Sequence, residues 1–433
     1  MIRALVSPAL AALLLCHAAN LSSAQELRGH GGPVRALAVS EDGASAISGS
    51  FDSSAIIWAL PAGSAQAVLR AHQSAVNAVL ALPQGRFASA GEDGQVAIWQ
   101  GPDFAMPSII KKLHDAPIAA LASSSDGSLL ATASWDGSFA LLKSDGDLVT
   151  RFTSHQGNVN GVAFSADKKN LITAGYDATL RITPLDGATA QSITLGTPLN
   201  ALSVSTTGEI AAGGADGTLF LLRADGTQHL KIDAFEAPII AVSFSPDASE
   251  IAAASPRGSV TIFDARSGKP RFTLTGPGLP VWSLAYMPDG RVLLTGGSDR
   301  LVRRWDMRSG DHLGPIVLER PAEAVTGFEG HPGAEVFKAC SACHTLTKDG
   351  GNRAGPSLYG VMGRRIGTAP GYHYSPDFAR HNITWSKETI SRLFELGPAV
   401  VTPGTKMPEQ KVTSQKDREA LVDFIEKASQ PRE

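Results

Sequence analysis

The chain has 433 residues, of which 43% are hydrophobic and 18% charged, and its formal net charge is −3. This balance excludes a disordered chain and one that coats nucleic acid, since both require a much larger excess of charge. The 44 glycines and 26 prolines make up about 16% of the chain, against ~12% in an average protein, and follow no collagen period. This excess indicates many turns between short strands.

The first residues have the pattern of an export signal. An apolar run of about a dozen residues follows Arg3, and small residues occupy positions 22–24. We therefore expect a signal peptide over residues 1–24 and a periplasmic mature protein. The run is too short to cross a bilayer and no later run reaches ~18 apolar residues, so we predict no transmembrane segment. A lipid anchor at Cys16 is a weaker alternative, because Leu15 stands where lipoprotein signals have a small residue.

A repeat fills about two thirds of the chain, directly after this signal. Aspartates recur at steps of 39 to 43 residues, with Arg257 at the place of the sixth, and define seven units. These aspartates are Asp52, Asp93, Asp136, Asp177, Asp216 and Asp299. Each unit holds short alternating strands separated by Gly or Asp turns, which predicts one antiparallel blade of four strands.

The repeat resembles the WD40 family over residues 25–319, which implies a seven-bladed β-propeller. The family's tetrad of His, Ser or Thr, Asp and Trp is complete in the first two units. These two sets are His30, Ser48, Asp52 and Trp58, then His72, Ser89, Asp93 and Trp99. The next two units lack the Trp and the fifth and sixth lack the His, so thinner hydrogen-bond networks and less stable blades are expected there.

A hydrolase triad is the alternative interpretation of a Ser, His and Asp set. Because the set repeats at a fixed period, whereas catalysis needs one site, we interpret it as structural. The sequence does not decide which strand closes the ring of blades, because residues 25–28 and residues 313–318 both have a suitable strand pattern.

After a predicted linker over residues 320–330, Cys340, Cys343 and His344 form a Cys-x-x-Cys-His pattern. This spacing is typical of covalent haem attachment, because two thiols three residues apart reach the two vinyl groups of one haem. A redox dithiol and half of a zinc site are the alternatives. A redox dithiol would require a βαβ context, which is absent here, and a zinc site would require a second Cys or His pair.

Residues 332–429 resemble the mitochondrial cytochrome c and bacterial cytochrome c2 family in the order and identity of their motifs. These motifs lie at residues 340–344, 354–356, 363–365, 369–372, 383–385 and 403–407. The resemblance implies an all-α class I cytochrome c domain over residues 331–433 with one haem c. It also implies His344 and Met407 as axial iron ligands. The other residues implied to surround the haem are Pro356, which accepts from the imidazole, and Arg364, Tyr372, Tyr374, Trp385 and Thr405 near the propionates.

Some residues of this domain differ from the family pattern or could compete with the implied ligands. Met362 is a competing axial ligand, but it falls where the family has an apolar core residue. Phe378 replaces the family's buried Asn, and Leu393 or Phe394 replaces a haem-side Tyr. We interpret His373 and His381 as surface residues.

Two helices are predicted directly from the sequence of this domain. Gly333 and Phe337 suit a helix before the haem motif, and Ser414 with Asp417 suits a capping box for a C-terminal helix. The two helices are expected to cross, as the terminal helices of the family do.

The two domains have opposite charge. Residues 25–330 hold 23 Lys and Arg against 30 Asp and Glu, and residues 331–433 hold 14 against 11. The net charges of −7 and +3 predict mutual attraction that weakens as salt rises.

These features predict a periplasmic single-electron carrier whose propeller docks a partner protein. Its other partners would be redox proteins, and no catalytic set is visible in the propeller. Two alternatives are the haem subunit of a periplasmic dehydrogenase or reductase, and a haem sensor of redox state or gas that signals through the propeller.

Overall fold

The computed structural model describes residues 26–102, 104–256, 259–274, 281–313, 327, 328, 330–337, 340, 341, 344–348, 352, 355–372, 374, 378, 380–403, 405, 407 and 411–430. The predicted signal peptide, most of the predicted linker, Cys343 and His373 lie outside the described residues.

The repeat folds into seven antiparallel sheets of four strands each, which confirms the predicted propeller. The strands of blades one to three are β2 Val34–Val39, β3 Ser45–Ser50, β4 Ala55–Ala59, β5 Ser64–Leu69, β6 Val76–Leu82, β7 Arg86–Gly91, β8 Gln95–Gln100, β9 Ile109–Lys112, β10 Ile118–Ser123, β11 Leu129–Ser134, β12 Ser138–Lys143 and β13 Leu148–Thr153. A 3-10 turn, Pro83–Gly85, joins β6 to β7.

The remaining blades follow the same order. Their strands are β14 Val159–Phe164, β15 Asn170–Gly175, β16 Thr179–Pro184, β17 Gln191–Thr194, β18 Leu199–Val204, β19 Ile210–Gly214, β20 Thr218–Leu222, β21 Gln228–Asp233, β22 Ala241–Phe244, β23 Glu250–Ala254, β24 Val260–Asp264, β25 Pro270–Leu274, β26 Val281–Tyr286, β27 Val292–Gly297 and β28 Leu301–Asp306. Blade seven takes its fourth strand from β1, Leu27–Arg28.

The second strand of each blade is buried along almost its whole length and consists mainly of small residues. Neighbouring blades press on this strand, so larger side chains have no space. At Gly49, for example, a Cβ atom would lie 2.7 Å from Cγ1 and 2.9 Å from the carbonyl oxygen of Val76 in the next blade. The core of the propeller therefore lies between the sheets, in clusters that join adjacent blades.

The tetrads form the predicted hydrogen-bond networks. In blade one, Ser48 Oγ lies 2.7 Å from both His30 Nε2 and Trp58 Nε1, and His30 Nδ1 lies 3.1 Å from Asp52. Blade two repeats these contacts. Both ring nitrogens of each histidine are thereby committed to neighbours within the fold, as a structural role requires.

Blades three and four keep the His–Thr–Asp part of the network. His155 Nε2 lies 2.8 Å from Thr173 Oγ1 and its Nδ1 lies 3.1 Å from Asp177. Burial raises the pKa of Asp177, but hydrogen bonds from Thr179, the Gln156 amide and His155 outweigh burial and lower this pKa to about 2. Asp177 is therefore a charged acceptor at neutral pH.

The N-terminal strand closes the ring. Leu27 pairs with Val302 and Arg28 pairs with Leu301, so the first strand joins the last blade. Glu26, beside this strand, places Oε1 3.4 Å from Nε of Arg303, which also forms an ion pair with Asp299. In blade seven an arginine thus contacts the aspartate that a histidine contacts in blades one to four.

The helices of the C-terminal domain are α1 Pro332–Phe337, α2 Lys387–Leu396, α3 Pro398–Val401 and α4 Gln415–Ala428. Both helices predicted from the sequence are confirmed, and Ser414 caps α4 by accepting from the Asp417 amide. A reciprocal capping box lies instead at the start of α2, between Ser386 and Thr389. Among the described residues, no helix is both long and apolar enough to cross a lipid bilayer.

Helices α1 and α4 pack against each other at Gly333. A Cβ atom at this position would lie 1.9 Å from the carbonyl oxygen of Ala420 and 2.6 Å from Cβ of Phe424. Such a close approach of two backbones requires glycine. Phe337 and Phe424 pack next to this contact, with ring centroids 5.4 Å apart.

Gly333→Ala is expected to separate α1 from α4 and to lower the free energy of unfolding of the helical domain by more than ~3 kcal/mol, because the clash is with backbone. Gly330→Ala is the matched control. Its Cβ meets open space, and only its positive φ of 79° carries a cost, about 1 kcal/mol. Far-UV circular dichroism during denaturation measures both values, and equal losses would contradict the predicted packing.

Asp177→Asn is expected to lower the free energy of unfolding of the propeller at pH 7 by about 1–3 kcal/mol, because it removes charge-assisted hydrogen bonds. The folded pKa of about 2 lies below the ordinary value of 3.8. The contribution of Asp177 is therefore present above pH ~4 and lost as the pH falls towards 2. The variant should lack this part of the acid dependence.

Asp186→Asn is the control for Asp177→Asn, because Asp186 lies exposed in another turn of the same blade. Denaturant unfolding at several pH values measures both variants. If Asp177→Asn keeps the acid dependence of the unsubstituted protein, the ionised Asp177 does not stabilise the blade.

Candidate functional site

A cleft opens in the helical domain, between the end of α1, the loops over residues 355–372, helix α2 and the side chain of Met407. Its empty volume is about 1260 Å³, counting the part open to solvent. Most of the side chains that line the cleft are apolar, with a few polar groups among them, which is typical of a site for a small molecule or cofactor.

The first wall of the cleft carries Cys340 and His344. Cys340 is buried with 7% of its surface exposed, and its carbonyl accepts from the His344 amide over 3.0 Å. His344 Nδ1 donates to the Pro356 carbonyl over 2.8 Å. This bond orients the ring and makes Nε2 the unprotonated nitrogen of the neutral imidazole.

Gly355 allows the loop to pass directly against this imidazole. A Cβ atom at position 355 would lie 2.3 Å from Cε1 of His344. The peptide that carries the Pro356 carbonyl could not reach the histidine with a side chain in that place. The glycine and the proline thus act together to position one ring.

Met407 also lines the cleft and belongs to the same core as α2 and α4. Its amide donates to Thr405 Oγ1 over 3.1 Å, so Thr405 braces the methionine segment. His381 supports this segment as well, through a 2.9 Å contact from Nε2 to the Pro403 carbonyl. Met362, the competing candidate, is packed against the core but is not among the described residues that line the cleft.

The polar part of the cleft contains Arg364, Tyr372 and Tyr374. Arg364 donates to the carbonyls of Tyr359, over 3.1 Å, and Ser357, over 2.6 Å, and burial lowers its pKa. The two tyrosine rings meet edge to face with centroids 4.7 Å apart. Burial raises the pKa of Tyr374, so its phenol stays protonated at neutral pH.

Trp385 lines the cleft and holds its loop through backbone bonds with Gly363 and Arg364. The remaining walls are apolar and include Ile390 and Ile425. The positions that depart from the related family, Phe378, Leu393 and Phe394, also lie in the lining. The environment is therefore more apolar than the family pattern implies.

Nine of the ten residues predicted for the site line the cleft or brace its lining, and Cys343 lies outside the described residues. Three further lining residues, Asp52, Ser54 and Arg70, come from blade one of the propeller. No sequence pattern links them to the cleft, because only the folded chain brings blade one to the helical domain. The sequence also did not predict that His381 supports the methionine segment through its contact with the Pro403 carbonyl.

A thiol, an oriented imidazole and a thioether in one mainly apolar cleft fit the donor set of a covalently bound haem. Structure and motif thus define a cytochrome-type domain behind a β-propeller.

Comparison with known proteins agrees with this class. The family model "WD domain, G-beta repeat" matches residues 21–59, 63–100, 108–141, 146–183 and 268–306, and the model "Cytochrome c" matches residues 331–429. The two blades without a match of their own are the fifth and sixth.

Related proteins resemble the C-terminal domain. Cytochrome c of Gibberella zeae is 39% identical over 94 residues, which are 22% of this chain and 88% of that protein. Cytochrome c of Arabidopsis thaliana is 39% identical over 95 residues, 22% of this chain and 84% of that protein. Cytochrome c2 of Rhodoplanes tepidamans is 34% identical over 93 residues, 22% of this chain and 86% of that protein. The chain belongs to the cytochrome c family, with its cytochrome c domain placed after a seven-bladed WD40 propeller.

Proposed function

We propose that the protein is a periplasmic electron carrier that binds one haem c covalently and passes single electrons between protein partners. The observation that carries this proposal is the cleft in which the Pro356-bonded His344 and Met407 line the same space. When bound, a haem iron supplies the one-electron couple. The chain needs no acid, base or nucleophile for that chemistry.

The residues of the chain have distinct roles in this proposal. Cys340 and Cys343 would hold the haem through thioether bonds, and His344 and Met407 would be the residues that ligate its iron. Pro356 keeps the imidazole in the required tautomer, which also strengthens it as a ligand. A thioether ligand together with an imidazole would favour the ferrous state and raise the potential. The apolar walls exclude water and act in the same direction.

The propeller serves in this proposal as the docking surface for a partner protein. Its buried histidines are occupied by tetrad contacts, so the repeated Ser, His and Asp sets are not available for chemistry. Propellers present broad surfaces built from loops, which suits protein binding. The periplasmic location is supported by the predicted signal peptide over residues 1–24 and by a haem-attachment motif.

A purified full-length chain with reduced c-type absorption bands and one haem per chain would support the proposal. A protein produced with the haem-attachment machinery but without these bands would refute it. Carbon monoxide binding to the reduced protein at neutral pH would favour the sensor alternative. Recovery of the mature chain, cleaved near residue 24, from the periplasmic fraction tests the location.

Met407→His is expected to retain haem and to lower the potential by more than ~59 mV, a tenfold change in the one-electron equilibrium, because imidazole stabilises ferric iron better than a thioether does. Redox titration followed by absorption measures this shift. Met362→Leu is the control and should leave the potential unchanged. A large shift in the control with none in Met407→His would make Met362 the ligand.

Cys340→Ala is expected to remove one of the two thioether bonds and to reduce the haem that survives denaturing electrophoresis, with the propeller still folded. Ser341→Ala, at the next position, is the control and should keep full attachment. Haem staining of the gel and calorimetry of the propeller measure the two effects. Undiminished covalent haem in Cys340→Ala would contradict the assigned attachment.

A further inference from the structure

The propeller contributes a cation to the cleft of the cytochrome domain. Arg70 lies just beyond β5 in blade one, next to the turn that holds Asp52 and Ser54. Its guanidinium carbon lies 4.8 Å from the centroid of the Tyr372 ring, so the two domains touch at this point. A cation–π contact of this kind favours the position of the guanidinium in the lining of the cleft.

The hydrogen-bond donors of Arg70 are not all used. Its Nη1 atom is buried and has no hydrogen-bond partner among the described residues. The nearest carboxylate in the lining, Asp52, is already engaged by His30, the Gly31 amide and Ser54. A buried charged donor without a partner is costly, which indicates that another acceptor completes the site.

The surroundings of Arg70 favour an anionic acceptor. Arg364 is the second cation of the cleft, and its guanidinium already donates to two carbonyls. Both arginines act to lower the pKa of the Tyr374 phenol against the effect of burial, so both lie close enough to influence that side chain. Two cations and two phenols converge here, and the only acidic residue among the described lining residues is Asp52.

We infer that Arg70 binds a propionate carboxylate of the haem, so that a residue of the propeller completes the cofactor site of the cytochrome domain. This inference rests on the proposed haem function. The propionates are the anionic groups of the ligand, and Tyr372, over which Arg70 lies, belongs to the set implied to surround them. A guanidinium matches a carboxylate in geometry as well as charge.

This contact makes Arg70 a residue that tunes the potential. A fixed positive charge close to the haem opposes the extra positive charge of ferric iron and therefore favours the ferrous form. The low dielectric of the cleft strengthens the effect. Arg70 also keeps the propionate ionised, so the potential stays constant as the pH varies around neutrality.

The test compares the full-length holoprotein with Arg70→Gln, Arg70→Lys and Arg86→Gln. Arg86 is a half-buried arginine of blade two, outside the lining of the cleft, and its substitution removes the same charge. Haem per chain is measured by absorption, the potential by redox titration at several pH values, and stability by calorimetry. All these readouts are independent of any partner protein.

Arg70→Gln should keep one haem per chain and should shift the ferrous-to-ferric equilibrium about three- to tenfold towards ferric. This shift corresponds to about 30–59 mV, at 59 mV per tenfold change. The potential should also gain a pH dependence near neutrality. Arg70→Lys should show a smaller shift because the charge remains, and Arg86→Gln should show none.

An unchanged potential in Arg70→Gln, with full haem content, would overturn the inference even if the variant were less stable. A loss of stability with no shift in potential would mean that Arg70 only joins the domains. If Arg70→Gln does not fold, the measurement on Arg70→Lys is decisive. The inference is supported if the potential of Arg70→Lys depends on pH in the same way as that of the unsubstituted protein. It is opposed if this pH dependence equals that of a Tyr372→Leu variant. Absence of haem from the unsubstituted protein would instead refute the proposed function itself.

Discussion

A buried imidazole must have a partner for each ring nitrogen, because an unmatched nitrogen in an apolar interior loses its hydrogen bond to water without compensation. This constraint shapes both domains. In blades one to four of the propeller, His30 and its counterparts place Nε2 against a hydroxyl and Nδ1 against an aspartate, which ties three segments of each of these blades together. In the cytochrome domain, His344 Nδ1 is held by the Pro356 carbonyl.

The same residue type therefore has opposite uses in the two domains. A histidine whose two ring nitrogens both contact hydrogen-bonding groups of the protein has a structural role. Burial lowers the pKa of His114 and His155, which helps to keep these side chains neutral. A histidine oriented through Nδ1 at the wall of a cleft can present Nε2 to a metal. Gly355 makes this orientation sterically feasible, since it lets the loop approach the ring.

The contact between the domains links these two parts of the molecule. Asp52 closes the tetrad of blade one and also faces the cleft, and Arg70 follows the outer strand of that blade. The fold of the first blade thus positions a cation over Tyr372. A propeller in this position is more than a separate module on a linker, because it contributes side chains to the walls of the neighbouring domain.

Local patterns predicted much of this structure because their physical causes are local. A regular spacing of aspartates reports one tight turn per blade, and the Cys-x-x-Cys-His motif reports geometry confined to five consecutive residues. The start of α4 was predicted from Ser414 because a cap lies within one turn of its helix. Helix α2 and its capping box at Ser386 were not predicted, although Thr389 three residues later was the available signal.

Residues distant in sequence meet only when the chain has folded, and here the sequence alone was insufficient. Two terminal segments had equal strand character, and the choice of Leu27–Arg28 depended on hydrogen bonds to residues 301 and 302. Likewise, nothing in the sequence near Arg70 indicates that this residue lines a cleft whose other residues lie about 300 positions further along the chain. The sequence by itself determined the blades, the haem-attachment motif and the family. Tertiary structure decided the ring closure and the shared cleft, because both are contacts between surfaces that local patterns do not encode.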